Sequence, residues 1–281
     1  MASIIKRRRL AAALRSLREE AGLTLDEVAH RMDLAQSTMS RIETARASAR
    51  PVIVRSLLAV YGVHGHEAEV IVQLARDAIQ RAWWHPYRDV MPDWFQTFVG
   101  LEAEACAIRA FQPQVVPGLL QTEEYARATL GARWTNRQSS EVERRVAVRL
   151  RRQQVLRYQP PPACQLVLGE AALRCQVGSP EVFTGQLARL VQLIDEGRVS
   201  IQVLPFTAGP AASELGQFVL LDFPNPEDPP VGYIEHLVSG QLIEEPTEVD
   251  RIRTAFDHQC RTALSPARSR KLIAEAAGRG G

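Results

Sequence analysis

Four short helical patterns, each with its own start or stop signal, follow one another in the first sixty residues. In each pattern apolar residues recur at spacings of three and four, which is typical of a helix that buries one face. The first contains Leu10, Leu14 and Leu17 and stops at Gly22, a residue suited to the left-handed turn after a helix. The last begins at Pro51, a favoured residue in a first helical turn. We therefore expect a mainly α-helical N-terminal domain of four to five helices.

The second of these helices has the clearest start in the chain. Thr24 and Glu27 fit a capping box, in which the threonine oxygen accepts a backbone N–H and the glutamate reaches back to the cap. A turn over residues 33–35 follows, and a short polar helix over residues 36–44 is anchored by Met39. A capped helix, a tight turn and a short polar helix in this register predict a helix-turn-helix.

Charge is distributed unevenly along the chain. Residues 1–55 contain eleven lysines or arginines and six carboxylates, a net charge of +5, whereas the whole chain carries only +2. The basic first segment predicts contact with a polyanion. The charge of the remaining residues predicts no such contact. The run from Lys6 to Arg9 suits either an arm that touches the minor groove or phosphates, or a solvated basic first turn.

The third helix turns its polar side chains away from its apolar anchor. Glutamine can bind adenine through two hydrogen bonds, arginine can bind guanine, and hydroxyl groups can serve bases or phosphates. Thr24 caps a helix N-terminus that should face a phosphate, and the two arginines after the third helix suit the DNA backbone. The predicted DNA-binding residues are Thr24, Gln36, Ser37, Thr38, Ser40, Arg41, Arg46 and Arg50. The alternative is that the polar face of the third helix is only solvated and does not bind DNA.

The segments LRSLREEAGLTLDEVAHRM and DLAQSTMSRIETARASARP, residues 14–51, resemble the Xre-type helix-turn-helix of phage repressors and many bacterial regulators. The resemblance implies that residues 36–43 form the recognition helix in the major groove. It also implies that Arg18 and Glu43 pair inside the domain.

This chain departs from the pattern of that family at two positions. The family usually has glycine at the position of Asp33, but aspartate tolerates the left-handed conformation better than most residues. It usually has a hydroxyl residue at the position of Ala35, and losing that cap costs about 1 kcal/mol. We expect a weaker start of the third helix and an unchanged fold.

Beyond residue 95 the pattern changes to a mixture of strands and helices. Apolar runs of β type occupy residues 164–169, 199–206, 216–223 and 231–237, and helical stretches occupy residues 123–130, 137–158, 181–196, 247–262 and 267–277. This mixture predicts a larger α+β domain. The expected organisation is a helix-turn-helix domain over residues 1–66, a helical connector and aromatic hinge over 67–95, and an α+β regulatory or dimerisation domain over 96–277.

The second half also resembles a known group, the large actinobacterial regulators in which an Xre-type domain precedes a conserved domain of unknown function. Segments that support the resemblance include FQPQVVPGLLQTEEYARATL, ERRVAVRLRRQQVLR, VSIQVLPFTAG, LGQFVLLDF and ALSPARSRKLI. The resemblance implies regulation with DNA binding. Such regulators are often described as antitoxin-like, with a small neighbouring partner protein.

Arginines are concentrated in the helical stretch over residues 137–158. Arg145, Arg149 and Arg152 lie four and three residues apart, so they share one helical face. Such a cluster can bind an anionic effector, an acidic partner or DNA beside the main site. The alternative is a solvated face partly paired with Glu141 and Glu143.

The sequence contains no recognisable catalytic, cofactor or metal signature. It has no P-loop, no G-x-S-x-G and no H-E-x-x-H, so we expect no enzyme, no cofactor and no metal. The four cysteines are scattered and are expected to be reduced and mostly buried. No apolar run is long enough to cross a bilayer. We therefore expect a cytoplasmic protein, nucleoid-associated when bound to DNA, with no membrane contact.

Three functional hypotheses fit these patterns. In the first, the chain is a sequence-specific transcriptional regulator that binds double-stranded DNA as a homodimer and responds to a small-molecule effector or partner at its C-terminal domain. In the second, the C-terminal domain neutralises a small partner protein, as in an antitoxin, and DNA binding serves autoregulation. In the third, the C-terminal domain is an enzyme that the DNA-binding domain targets.

Overall fold

The computed structural model describes residues 4–79, 83–133, 139–209 and 216–278. The chain divides into two compact units, Met1–His85 and Pro86–Gly281. The border between them lies within the predicted connector over residues 67–95. No helix in the described ranges is long and apolar enough to cross a membrane.

The N-terminal unit consists of helices in its described part. They are α1 (Ile4–Glu20), α2 (Leu25–Arg31), α3 (Gln36–Glu43), α4 (Pro51–Tyr61) and α5 (Gly65–Ala78). Gly22 and Asp33, the residues expected to end or bend the chain, do so, with φ values of +69° and +50°. Gly62, with a φ value of +78°, follows the end of α4 in the same way. The prediction of a mainly helical domain with four to five helices is confirmed.

One apolar core holds these helices together. Leu14, Val28, Met39, Val54 and Leu57 come from four different helices, and each has 0% exposure. Burying a leucine or valine side chain contributes about 1.5–3 kcal/mol, more than the preference of any residue in these short helices for helical structure. The periodic apolar residues of the sequence therefore form the core that fixes α3 relative to its neighbours.

The C-terminal unit is built on a six-stranded mixed sheet in the order β3-β2-β1-β4-β5-β6. Its strands are β1 (Ala107–Gln112), β2 (Ala163–Gly169), β3 (Ser200–Leu204), β4 (Phe218–Asp222), β5 (Val231–Glu235) and β6 (Gly240–Ile243). Strands β1, β2 and β3 run parallel, and β4 to β6 continue the sheet antiparallel. The predicted α+β class is confirmed, while β1 and β6 are missing from the predicted strands.

Helices cover both faces of this sheet. They are α6 (Asp93–Glu102), α7 (Glu123–Arg133), α8 (Ser139–Arg152), α9 (Pro180–Asp195), α10 (Pro246–Thr262) and α11 (Pro266–Gly278). On one face Phe256 of α10 packs in a cluster with Phe111 and Phe218. On the other, Phe98 of α6 stacks on Tyr233 of β5 with ring centroids 3.9 Å apart. The sheet is therefore the buried middle layer of the unit.

The cysteines differ in part from the expectation. All four are free thiols, but Cys106 and Cys175 are exposed, so the expectation that most are buried is wrong for these two. Cys164 lies in β2 and is buried, and burial raises the pKa of its thiol to about 12. A thiol with so high a pKa is almost entirely protonated at neutral pH and is therefore a poor nucleophile.

Candidate functional site

The exposed face of α3 consists of polar side chains. Gln36, Ser37, Thr38 and Arg41 are exposed and Ser40 is half-buried, while Met39 and Ile42 on the opposite side are buried. Within the described residues, the side chains of the four exposed residues are in no hydrogen bond or ion pair. The five predicted residues of α3 thus lie together on one solvent-facing surface. Their donors and acceptors point outward, as base recognition requires.

The N-terminus of α3 is open to an anion. Ala35 precedes it in an extended conformation, with φ −68° and ψ 139°, and its side chain caps none of the first N–H groups. The first turn contains no acidic residue. Because a helix N-terminus carries partial positive charge and N–H groups without helical partners, this end of α3 is suited to a phosphate.

The N-terminus of α2 is different, because a carboxylate already occupies it. The N–H and the hydroxyl of Thr24 each donate to Glu27 Oε2 at 2.8 Å, and the Thr24 oxygen accepts from the N–H of Glu27 at 3.2 Å. The predicted capping box is therefore present. The same bonds place a negative charge beside Thr24, whose role as a phosphate contact stays a prediction.

The loop after α3 adds two exposed cations. Ala45 has φ +54°, and the N–H of Ala47 donates to the carbonyl of Arg41 at 2.9 Å, so the chain turns back against the end of the helix. Arg46 and Arg50 are exposed in this loop and have no ion pair with the described residues. They lie close in sequence to α3 and suit contacts with the phosphate backbone.

A buried ion pair connects α1 with α3. The Nε and Nη2 atoms of Arg18 donate to the two carboxylate oxygens of Glu43 at 2.8 and 2.9 Å. Arg18 Nη1 also donates to the carbonyl of Leu23 at 2.8 Å. The hydrogen bond to Glu43 raises the pKa of Arg18 above its usual value. The implied pairing is confirmed, and it holds α3 against the rest of the unit.

The basic run from Lys6 to Arg9 belongs to α1, which begins at Ile4. Lys6 Nζ lies 2.6 Å from a carboxylate oxygen of Asp77 in α5. The run is therefore a helical turn, but its four side chains are half-buried and not solvated as one interpretation expected. Contact of this turn with DNA stays a prediction.

The three arginines of α8 meet at the wall of a cavity in the C-terminal unit. Arg145, Arg149 and Arg152 all line this cavity, whose volume is about 350 Å³. Arg145 pairs with Glu141 at 3.0 Å, and Arg149 Nη1 donates to Gln121 Oε1 at 2.7 Å. The alternative expected pairs with Glu141 and Glu143. The pair with Glu141 is present, but Glu143 instead accepts a hydrogen bond from Arg127 at 2.7 Å, so that part of the alternative is wrong. The arginine face of α8 points towards the protein.

Arg152 forms a buried ion pair at this wall. Its Nε and Nη2 atoms donate to the two oxygens of Glu102 at 2.8 Å, and both side chains are under 10% exposed. Its guanidinium lies 5.0 Å from the ring centroid of Phe95 and 5.4 Å from that of Phe98. Burial lowers the pKa of Arg152, but the Glu102 carboxylate outweighs burial and raises it. Sequence spacing did not indicate this pair, because its partners are fifty residues apart.

Two family models match the chain. A model described as a helix-turn-helix domain matches residues 9–71. A model described as a domain of unknown function, DUF5753, matches residues 95–275. No curated protein matches the chain, and no solved structure does.

Proposed function

The chain belongs to the family defined by the domain of unknown function DUF5753, and we propose that it is a sequence-specific DNA-binding transcriptional regulator. Its N-terminal helix-turn-helix domain, of the Xre type, places α3 in the major groove. The observation that supports this most directly is the outward face of α3, where Gln36 and Arg41 have no partner in the described protein. Polar side chains without protein partners on a rigidly held helix are suited to bases.

In this proposal different side chains contact different parts of the DNA. Gln36, Arg41 and the hydroxyl residues between them contact base edges and determine sequence preference. The open N-terminus of α3 and the arginines at 46 and 50 contact phosphates and determine register and salt dependence. The buried pair of Arg18 with Glu43 touches no DNA and fixes the angle at which α3 is presented.

We also propose that the protein binds DNA as a homodimer. A recognition helix of eight residues contacts few base pairs, and helix-turn-helix proteins commonly gain affinity by occupying two half-sites about 34–36 Å apart. Light scattering with size exclusion at micromolar protein concentration, with and without DNA, tests this. A monomer under both conditions would contradict it.

In this proposal the C-terminal unit regulates the DNA binding of the N-terminal unit and is not an enzyme. Its buried carboxylate Glu102 is committed to a structural pair with Arg152. The cavity beside that pair suits an effector. An antitoxin-like role, in which the unit neutralises a small protein, is the second candidate. It is favoured by the turn after β5, where Leu237 and Val238 are 69% and 81% exposed. Co-purification with a small protein encoded beside it would support that role.

The central experiment selects binding sites from random duplex DNA with the full chain. We expect an enriched sequence, and we expect Gln36→Ala and Arg41→Ala each to weaken binding to it by about 5- to 150-fold, equivalent to 1–3 kcal/mol. Each substitution should relax preference at particular base positions and leave random DNA little affected. Gln73→Ala and Arg76→Ala, exposed positions on α5, are the matched controls and should bind like the wild type.

Two outcomes would count against the proposal. Failure to enrich any sequence would overturn the assignment of sequence-specific binding. Equal losses on selected and random DNA would mean that Gln36 and Arg41 contact the backbone and that other residues read the bases.

A further inference from the structure

A partly apolar cavity of the C-terminal unit lies on the face of the sheet that carries α6. Its walls are the segment over residues 88–95, the arginine face of α8 and the turn between β5 and β6. Its volume of about 350 Å³ falls within the range of small-molecule sites, about 300–1,000 Å³. A second, inner space of about 160 Å³ shares Phe95, Arg149 and Arg152 with it.

One side of the cavity is apolar. Met91, just before α6, and Trp94 and Phe95, in the first turn of α6, line the cavity together with Val148 of α8. Gly240, the first residue of β6, lies directly against the indole, since a Cβ atom there would be 2.4 Å from a ring carbon of Trp94. The turn before it also lines the cavity. The flat side chains and the turn thus form a wall suited to a planar apolar body.

Much of the remaining wall is cationic. Arg145, Arg149 and Arg152 contribute from α8, and Arg88 contributes from the turn before α6. Arg144 fixes this turn on α8, because its Nη2 atom donates to Asp89 Oδ1 at 2.8 Å and to the carbonyl of Pro86 at 2.6 Å. Four guanidinium groups therefore face the cavity, against the carboxylates of Asp89 and Glu235.

The pairs within the wall leave hydrogen-bonding capacity for a ligand. A guanidinium has five N–H groups, and the carboxylate of Glu102 takes two from Arg152. The bond from Arg149 to Gln121, a neutral amide, holds the Arg149 guanidinium in place at the wall. Arg88 is exposed and has no ion pair with the described residues. Arginines held in fixed positions favour carboxylate or phosphate groups, which they can bind through two hydrogen bonds.

We infer that this cavity binds an amphipathic organic anion, a molecule with a planar apolar body and a carboxylate or phosphate group at one end. The body packs between Trp94, Phe95 and the turn after β5, and the anionic group lies against Arg88 and Arg149. The inference rests on the proposed function only where it treats the bound anion as an effector that regulates DNA binding. The binding itself is measured without DNA.

A pair of fluorescent probes tests the inference on the full chain. The anionic probe is 8-anilinonaphthalene-1-sulfonate, and the matched neutral probe is N-phenyl-1-naphthylamine, which has the same rings without the charge. We expect the anion to bind at least tenfold more tightly. Arg88→Gln and Arg149→Gln should each weaken the anion several-fold and leave the neutral probe unchanged. Trp94→Ala should weaken both.

The controls separate binding from folding. Arg268→Gln removes an exposed arginine from α11, away from the cavity, and should leave both probes unchanged. Arg88 is exposed in a turn, so its replacement leaves the core intact, and circular dichroism of each variant checks the fold. Displacement by 2-naphthoate and by 2-naphthyl phosphate then shows whether a carboxylate or a phosphate is preferred.

The inference is overturned if both probes bind equally, if Arg88→Gln and Arg149→Gln behave like Arg268→Gln, or if neither naphthyl acid displaces the anionic probe. Such results would leave the DNA selection untouched. Conversely, a chain that enriches no DNA sequence can still bind the anionic probe at the cavity. Failure of the two proposals is therefore distinguishable.

Discussion

Arg18 and Glu43, twenty-five residues apart, face each other in the N-terminal unit through two parallel hydrogen bonds of 2.8 and 2.9 Å. Their side chains are only 10% and 4% exposed. A buried carboxylate that loses its partner keeps its desolvation cost, so breaking such a pair costs about 3–5 kcal/mol, whereas replacing both partners by apolar residues costs much less. We expect Arg18→Met to destabilise the unit strongly and Arg18→Met with Glu43→Leu to recover most of the loss.

Hydrogen exchange of the amides in α1 and α3 measures this effect locally. Arg15→Met is the matched control, because Arg15 forms an exposed pair with Glu19 four residues on. Exposed pairs contribute little to stability, so exchange in this variant should match the wild type. A double variant as unstable as Arg18→Met would show that the pair itself stabilises the fold.

The capping box of α2 predicts a pH dependence. Hydrogen bonds from the N–H and hydroxyl of Thr24 hold the pKa of Glu27 below its usual 4.5. A carboxyl whose pKa is lowered by folding stabilises the folded state above its unfolded pKa, and this contribution is lost as pH falls through the folded value. Amide protection in α2 should therefore decrease on acidification from pH 4.5 downwards.

Two variants isolate the contribution of this carboxyl. Glu27→Gln removes the titrating group, so the part of the acid loss specific to α2 should disappear. Thr24→Ala removes a cap that is worth about 1 kcal/mol and should reduce protection at neutral pH as well. An unchanged acid profile in Glu27→Gln would rule out this source of the pH dependence.

The N-terminal unit was predictable because its signals are local. Gly22, Asp33 and Pro51 act through their own backbone preferences, and Thr24 bonds a residue three positions away. Each of these signals is contained in one helical turn, so a sequence pattern is sufficient to find it. The candidate DNA-binding face followed for the same reason, since a short helix with a buried anchor leaves only one side for polar contacts.

The C-terminal unit was predictable only in its class. Strand β1 lies in the middle of the sheet, yet Arg109 interrupts its apolar run, and the charge is tolerated because Arg109 lies 3.3 Å from Asp222 on the neighbouring β4. That neighbour is over a hundred residues away. The cavity likewise joins α6, α8 and the turn after β5, and only the arginines of α8 formed a pattern within one helix.

Gly169 marks a close approach that the fold requires. It ends β2, and a Cβ atom there would lie 2.2 Å from the carbonyl oxygen of Pro113, a backbone atom that cannot rotate away. We expect Gly169→Ala to lower the free energy of unfolding by about 1–3 kcal/mol, as overpacking does. Gly185→Ala, in α9 with nothing within 4 Å, should instead raise it by about 0.5–1 kcal/mol. Thermal unfolding measures both, and a neutral Gly169→Ala would contradict the contact.

The two arginines after α3 should affect the salt dependence of DNA binding, whereas the residues that contact bases should affect sequence preference. Arg46 and Arg50 are exposed and without ion pairs in the described chain, which suits phosphates. Removing one phosphate contact reduces the slope of log K against log salt by about 1 and weakens binding to all sequences alike. We therefore expect Arg46→Gln and Arg50→Gln to weaken selected and random DNA equally, with a shallower slope in fluorescence anisotropy titrations. Arg76→Gln should keep the wild-type slope. A loss confined to the selected sequence would instead assign these arginines to the bases.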